Sequence, residues 1–215
     1  MKRIFLAIIF LFFAVPSFAV DCGTSDTCFV LGMKMLQQKE YQNAKQCFEL
    51  SISMEPEYYL NYAYRAKANF YLGNYESTFE DATKSIKLQP NPRAYGLRGS
   101  AKLVLGDNLG AIEDTTKAIE LDPKYMKCYE VRARAEANIG DYVEAMKDSL
   151  RAIKIRDNYA KSYEVLAYSQ VGLKDYQSAV ESFEKAAKLF KQDKDRKNYR
   201  LMNQKIRYYK RLVKW

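Results

Sequence analysis

The stretch GNYESTFEDATKSIKLQP, from Gly73 to Pro90, recurs four more times along the chain. KEYQNAKQCFELSISMEP begins at Lys39, GDNLGAIEDTTKAIELDP at Gly106, GDYVEAMKDSLRAIKIRD at Gly140 and KDYQSAVESFEKAAKLFK at Lys174, so successive starts lie 34, 33, 34 and 34 residues apart. A fixed period of this length restricts the fold more than any composition does. A single unit of that size cannot bury its own apolar face, and stacking copies in a row gives them a shared core.

A second amphipathic segment precedes each copy: CFVLGMKML, YAYRAKANF, YGLRGSAKL, YEVRARAEA and YEVLAYSQV. Each repeat is thus a pair of helices. The turns Leu72-Gly73-Asn74, Leu105-Gly106-Asp107 and Ile139-Gly140-Asp141 suit antiparallel partners, with glycine in the left-handed cap. Pro56, Pro90 and Pro123 stop the second helix of three repeats, and Asp157 and Lys191 stand there in the last two. Three columns are small in every copy: Gly32, Ala66, Gly99, Ala133 and Ala167; Ala44, Thr78, Ala111, Ala145 and Ala179; Ser51, Ser85, Ala118, Ala152 and Ala186. They let helix backbones approach. Large residues recur at Tyr62, Tyr95, Tyr129 and Tyr163, at Tyr41, Tyr75, Tyr142 and Tyr176, and at Met54, Leu88, Leu121, Ile155 and Leu189, where they are expected to fill the gaps.

Period, turn, small columns and proline together resemble the tetratricopeptide repeat (TPR) family over about Ser25 to Leu189. The resemblance implies an all-α, right-handed superhelical solenoid of five helix pairs, over residues 25–58, 59–91, 92–125, 126–159 and 160–191, with the first helices lining a concave groove. Binding in the family takes place in that groove. Carried over residue by residue, its face here includes Met33, Lys67, Ser100, Arg134 and Tyr168, with Arg93, Lys127 and Lys161 nearer the helix starts and Tyr64, Glu130 and Glu164 flanking. Some members clamp an acidic peptide carboxyl terminus with a set of lysines, asparagines and an arginine. That set is incomplete here, since Phe29 and Met33 replace polar residues in the first repeat and Gly96 and Ser100 in the third. The basic, tyrosine-rich lining favours a protein or peptide partner that is acidic or extended.

Comparing the repeats with one another shows a substitution pattern. Leu31 and Leu166 in the end repeats give way to Arg65, Arg98 and Arg132 in the middle three, and sixteen residues after each arginine stands Asp81, Asp114 or Asp148. The end repeats carry Cys47 and Ser182 at the aspartate column. The next column changes too, from Phe48 and Phe183 at the ends to Ala82, Thr115 and Ser149 in the middle. One interhelical space is read as filled in two ways: by leucine and phenylalanine, or by an arginine stem whose guanidinium reaches an aspartate.

Lys2 and Arg3 precede a twelve-residue apolar run from Ile4 to Val15, and Pro16-Ser17-Phe18-Ala19 offers a cleavage site before Val20. Residues 1–19 read as a signal peptide, too short to span a bilayer, so the chain is expected to be exported to a periplasm or the exterior. Residues 20–24 form a short segment before the repeats. Export places Cys22, Cys28, Cys47 and Cys128 in an oxidising compartment. Two of Cys22, Cys28 and Cys47 are expected to pair, because Cys128 lies far along the array.

The formal charge is +9, and ten Lys or Arg between Lys191 and Trp215 face only Asp193 and Asp195. Nearly all the excess positive charge therefore sits in residues 192–215. There Tyr199, Met202, Ile206, Tyr209 and Val213 fall at alternating steps of three and four, with Arg196, Arg200, Arg207, Arg211 and Lys214 on another face. This predicts a capping helix over the last repeat. Its basic side is a candidate for contact with an anionic lipid or polymer surface, and nucleic acid is not expected for an exported chain. The sequence has no histidine, which removes HExxH zinc sites, Ser-His-Asp triads and Cys-His pairs, and it has no glycine-rich phosphate loop. Ser182-Phe-Glu-Lys185 matches S-x-x-K by chance inside a repeat helix. The sequence reads as a non-catalytic interaction scaffold needing no cofactor, with surface association through the tail as the alternative.

Overall fold

A computed structural model describes residues 22–213; the signal-peptide segment read at 1–19, and Lys214 with Trp215, lie outside the described residues. The described residues form eleven α-helices and no strand. They are α1 (Ser25–Gln37), α2 (Tyr41–Met54), α3 (Tyr59–Leu72), α4 (Tyr75–Leu88), α5 (Pro92–Val104), α6 (Asn108–Leu121), α7 (Met126–Asn138), α8 (Tyr142–Ile155), α9 (Ala160–Gly172), α10 (Tyr176–Gln192) and α11 (Arg196–Val213). Each helix packs on its neighbours in the chain, and the odd-numbered helices α1 to α9 also touch one another in succession. This packing makes a solenoid with the first helices on its inner side.

The turn within each pair repeats one backbone solution. Gly73, Gly106 and Gly140 take φ of 84°, 89° and 87°, a region closed to most side chains, while Lys39 and Lys174 hold the same position in the outer repeats at 64° and 62°. Asp107, Asp141 and Asp175 follow and cap the next helix, accepting hydrogen bonds from the amides of Gly110, Glu144 and Ser178. Lys194 (φ 59°) and Asp195, which accepts from the Asn198 amide, repeat this pair between α10 and α11. The last helix is thus joined by the same turn that closes each repeat.

The small columns are buried. Ala66, Ala133 and Ala167 have no exposed surface, nor have Ala44, Thr78, Ala111, Ala145 and Ala179. At Gly32 an added Cβ would lie 2.8 Å from the Phe48 ring, so the glycine makes room for that ring. The tyrosine and proline columns meet directly: Tyr62 Oη donates to the Pro56 carbonyl at 3.0 Å and Tyr129 Oη to that of Pro123 at 3.2 Å.

One expected column behaves otherwise. Met54, Leu121 and Ile155 do not fill gaps but stand 47%, 50% and 42% exposed, on the outward side of last turns whose other side buries Ser51, Ala118 and Ala152. Only Leu189 in that column is buried, in the core that α11 completes with Met202 and Ile206.

In the middle repeats Arg65, Arg98 and Arg132 each grip an aspartate side-on. Nε and Nη2 reach the two oxygens of Asp81 at 2.9 and 2.6 Å, of Asp114 at 2.8 and 2.7 Å, and of Asp148 at 2.5 and 3.1 Å. The aspartates are almost wholly buried and the arginine side chains about one-fifth exposed. Phe48 and Phe183 occupy the equivalent space at the ends with no exposed surface.

Near the amino terminus, Cys22 and Cys28 form a disulfide with Cα atoms 5.0 Å apart, while Cys47 and Cys128 are free and buried. The bridge ties the segment before α1 to its first turn.

Candidate functional site: the concave groove

The groove residues come from the exposed side of the first helices and the loops leading into them. Lys67 on α3, Arg93 on α5, Lys127 on α7 and Lys161 on α9 converge on one cavity of about 390 Å³. Tyr71, Tyr125, Tyr159 and Arg156 also line it, and no carboxylate does. The 33- or 34-residue spacing puts Arg93, Lys127 and Lys161 in one register, so the stacked helices bring their cations to one wall.

These cations differ in how they are neutralised. Lys127 is paired with Glu130, which is 1% exposed and also has Arg134 Nη2 2.7 Å from its second oxygen. Burial acts against the Glu130 charge, but Lys127 and Arg134 outweigh it and hold the carboxyl below its usual range. Lys67, Arg93 and Lys161 have no carboxylate partner among the described residues. Burial, then the Arg93 charge, pushes the Lys67 ammonium down; burial, then Lys127, does the same to Lys161. Arg93 instead lies over the Tyr64 ring, 4.5 Å from its centroid.

Arg134 and Tyr168 line an adjoining cavity of about 500 Å³ with Glu164, Asn138, Tyr142 and Val165. Burial raises the Glu164 carboxyl, with Arg134 and Lys161 opposing. The groove is therefore cationic over the second to fourth repeats and mixed in charge toward α9. Met33 and Tyr64 stand apart from both cavities, because they pack into the apolar cluster of Leu36, Ala44, Phe48 and Ala68. Ser100 lines the cationic cavity, and its hydroxyl is bound to the Gly96 carbonyl at 2.7 Å.

Sequence reasoning missed Tyr71, Tyr125, Tyr159 and Arg156. A register signal was present: Tyr58, Tyr125 and Tyr159 stand at the residue before the first helix of the second, fourth and fifth repeats, with Thr24 and Asn91 in the first and third. Gly96 is also explained, since a Cβ there would lie 2.8 Å from Cys128 Sγ and 3.1 Å from the Tyr125 ring.

A tetratricopeptide repeat family model matches residues 25–58, 92–125 and 160–193, the first, third and fifth pairs of the solenoid just described. The chain belongs to the tetratricopeptide repeat family. No curated protein matches this TPR chain by sequence. Its fold is similar to that of TTC0263, a thermophilic TPR protein of Thermus thermophilus, at a TM-score of 0.70 and 18% identity, covering 83% of this chain and 98% of that one. It is also similar to MamA from Desulfovibrio magneticus RS-1, at 0.65 and 17% over 78% and 96% of the two chains. YrrB, described as a TPR protein with an unusual peptide-binding site, matches at 0.60 and 13% over 77% and 86%. At these identities the likeness concerns the fold.

Proposed function

We propose that this TPR protein is an interaction scaffold that holds an extended, acidic segment of a partner protein in its concave groove. The observation that carries the reading is the trio Lys67, Arg93 and Lys161, three partly buried cations facing one cavity without a carboxylate of their own. Burial, aided by Arg93 beside Lys67 and by Lys127 beside Lys161, works against the charge of these two ammoniums, and an incoming anion offsets that cost. Tyr71, Tyr125 and Tyr159 supply flat amphipathic walls for the rest of the segment. That YrrB, of similar fold, has a peptide-binding site supports a peptide as the kind of partner. The absence of histidine supports a non-catalytic role.

The site of action we propose is outside the cytoplasm. The leader read in residues 1–19 supports this, as does the Cys22–Cys28 disulfide, a bond that persists in oxidising compartments. Amino-terminal sequencing of the protein recovered from cell fractions tests export: a chain starting at Met1 in the cytoplasm overturns it.

The groove reading is tested by placing a photoreactive residue at Lys67 and, separately, at Lys154 on α8, then identifying cross-linked peptides by mass spectrometry. Cross-links to acidic segments from position 67 and not from 154 are expected, and Arg93→Glu should remove them. Equal labelling from both positions sinks the reading.

A further inference from the structure

Helix α11 uses one face to close the solenoid, burying Met202 and Ile206 against α10. The opposite face is left bare. Arg196, Arg200, Arg207 and Arg211 project from it, all exposed, in a stripe of fifteen residue steps that spans about 22 Å of helix. Among the described residues none of these four has a carboxylate partner; the ion pair from α11 to the repeats is that of Lys210 with Glu184 at 2.6 Å. Beside the carboxyl-terminal half of the stripe stand Tyr208 and Leu212, 58% and 39% exposed.

We propose that this end face of the solenoid docks on an anionic phospholipid surface, independently of what occupies the groove. Charge complementarity fixes the sign of the partner. The straight, single-sided stripe fits a plane of negative charge better than a convex partner, which would engage only part of its length. Tyr208 and Leu212 decide between a lipid surface and a soluble polyanion: each gains from entering the headgroup boundary, while a sugar or nucleotide polymer offers Leu212 no apolar surroundings. The contact lies on the surface, because the apolar face of α11 is already committed to the core and no described helix is long and apolar enough to cross a membrane.

The test is sedimentation of the full chain with vesicles of zwitterionic phospholipid alone and of the same lipid mixed with an anionic phospholipid. The leader's own Lys2 and Arg3 also favour the anionic vesicles, so the readout is the part of the anionic excess that substitutions in α11 remove. Binding in excess on the anionic vesicles, removed by salt, is expected. Arg207→Gln with Arg211→Gln should weaken it roughly 30-fold, two basic residues' worth, with the helical circular dichroism unchanged because both side chains are exposed. Tyr208→Ser with Leu212→Ser should weaken it further in a way that salt does not mimic. Equal binding to the two lipid mixtures overturns the proposal. So does anionic binding that survives the Tyr208 and Leu212 changes and is competed fully by heparin, which would make the stripe a site for soluble polyanions.

Discussion

The middle three repeats and the outer two fill the same interhelical space with opposite chemistry, and their neighbours explain the choice. The arginine of a middle repeat has a nitrogen to spare after gripping its aspartate, and the preceding repeat receives it. Arg98 Nη1 donates to Thr83 at 3.4 Å and Arg132 Nη1 to Thr116 at 3.0 Å, while Arg65 feels the charge of Glu49. The same column in the fourth repeat is Leu150, and the fifth repeat that follows has Leu166 and Phe183 in place of the ion pair. The first repeat has no preceding second helix among the described residues, and it too is apolar. A buried charge pair is tolerated where neighbouring polar groups compensate it, and each middle repeat has such a group in the repeat before it, a hydroxyl for Arg98 and Arg132 and a carboxylate charge for Arg65.

The sharpest way to break this comparison is to strand one charge. Asp114→Ala leaves Arg98 and Lys102, whose Nζ lies 3.1 Å from Asp114, without their common anion in a largely buried place. A loss of about 3–5 kcal/mol is expected in urea unfolding, with hydrogen exchange placing it at α5 and α6. A loss below about 1 kcal/mol, the range of a solvated surface pair, would show that the middle repeats gain nothing from burying their charges.

Converting one solution into the other is the second test. Arg98→Leu, Lys102→Gln, Asp114→Ser and Thr115→Phe together reproduce the fifth repeat, in which Ser182 Oγ donates to Gln170 at 2.7 Å beside Phe183. The third repeat suits the exchange because Gly99 leaves room on the facing helix, as Gly32 does for Phe48. The outcome should lie between no change and a gain of about 4 kcal/mol, the range found when well-packed apolar groups replace buried ion pairs. A large loss would mean that the two fillings are not interchangeable.

These contrasts were legible in the sequence because it contains its own controls. Five aligned copies expose a coupled change at Arg98, Asp114 and Thr115 that a single copy hides. The groove was less legible. Lys67, Arg93 and Lys161 are assigned to the groove face through the family resemblance, but their convergence on one cavity comes from the stacking of the helices and not from any spacing in the sequence. Arg156 caps the end of α8 and enters the groove only through the turn geometry. Met54, Leu121 and Ile155 misled for the converse reason, since periodic apolar residues imply a full cover, and these are only half covered.

A third contrast lies among the middle repeats, at the residue four past each arginine. Asn69 donates to Asp81 at 3.0 Å and Lys102 pairs with Asp114, but Glu136 brings a second carboxylate to Arg132, 3.8 Å from Nε, with its other oxygen buried and unbonded. Burial, then the Asp148 charge, pushes the Glu136 carboxyl up from 4.5 to about 7. Between those pH values the folded chain keeps a proton there that the unfolded chain has released, so stability falls as pH rises through the window. Glu136→Gln should stabilise by about 1–3 kcal/mol above pH 7, with the advantage shrinking toward pH 4.5 in denaturation at several pH values. An advantage independent of pH would mean that Glu136 is ionised throughout.

The smallest effect separates the turns of the two classes of repeat. Gly140 holds φ of 87° with nothing within 4 Å of where a Cβ would stand, so Gly140→Ala costs only the left-handed backbone strain of an L-residue. Lys174 bears that strain already at φ of 62°. Lys174→Gly should therefore raise stability by about 1 kcal/mol and Gly140→Ala lower it by about the same, and the two changes combined should nearly cancel in thermal unfolding. A loss on Lys174→Gly would mean that the greater freedom of glycine in the unfolded chain outweighs the relief. The outer repeats would then have been stiffened by their lysines rather than strained.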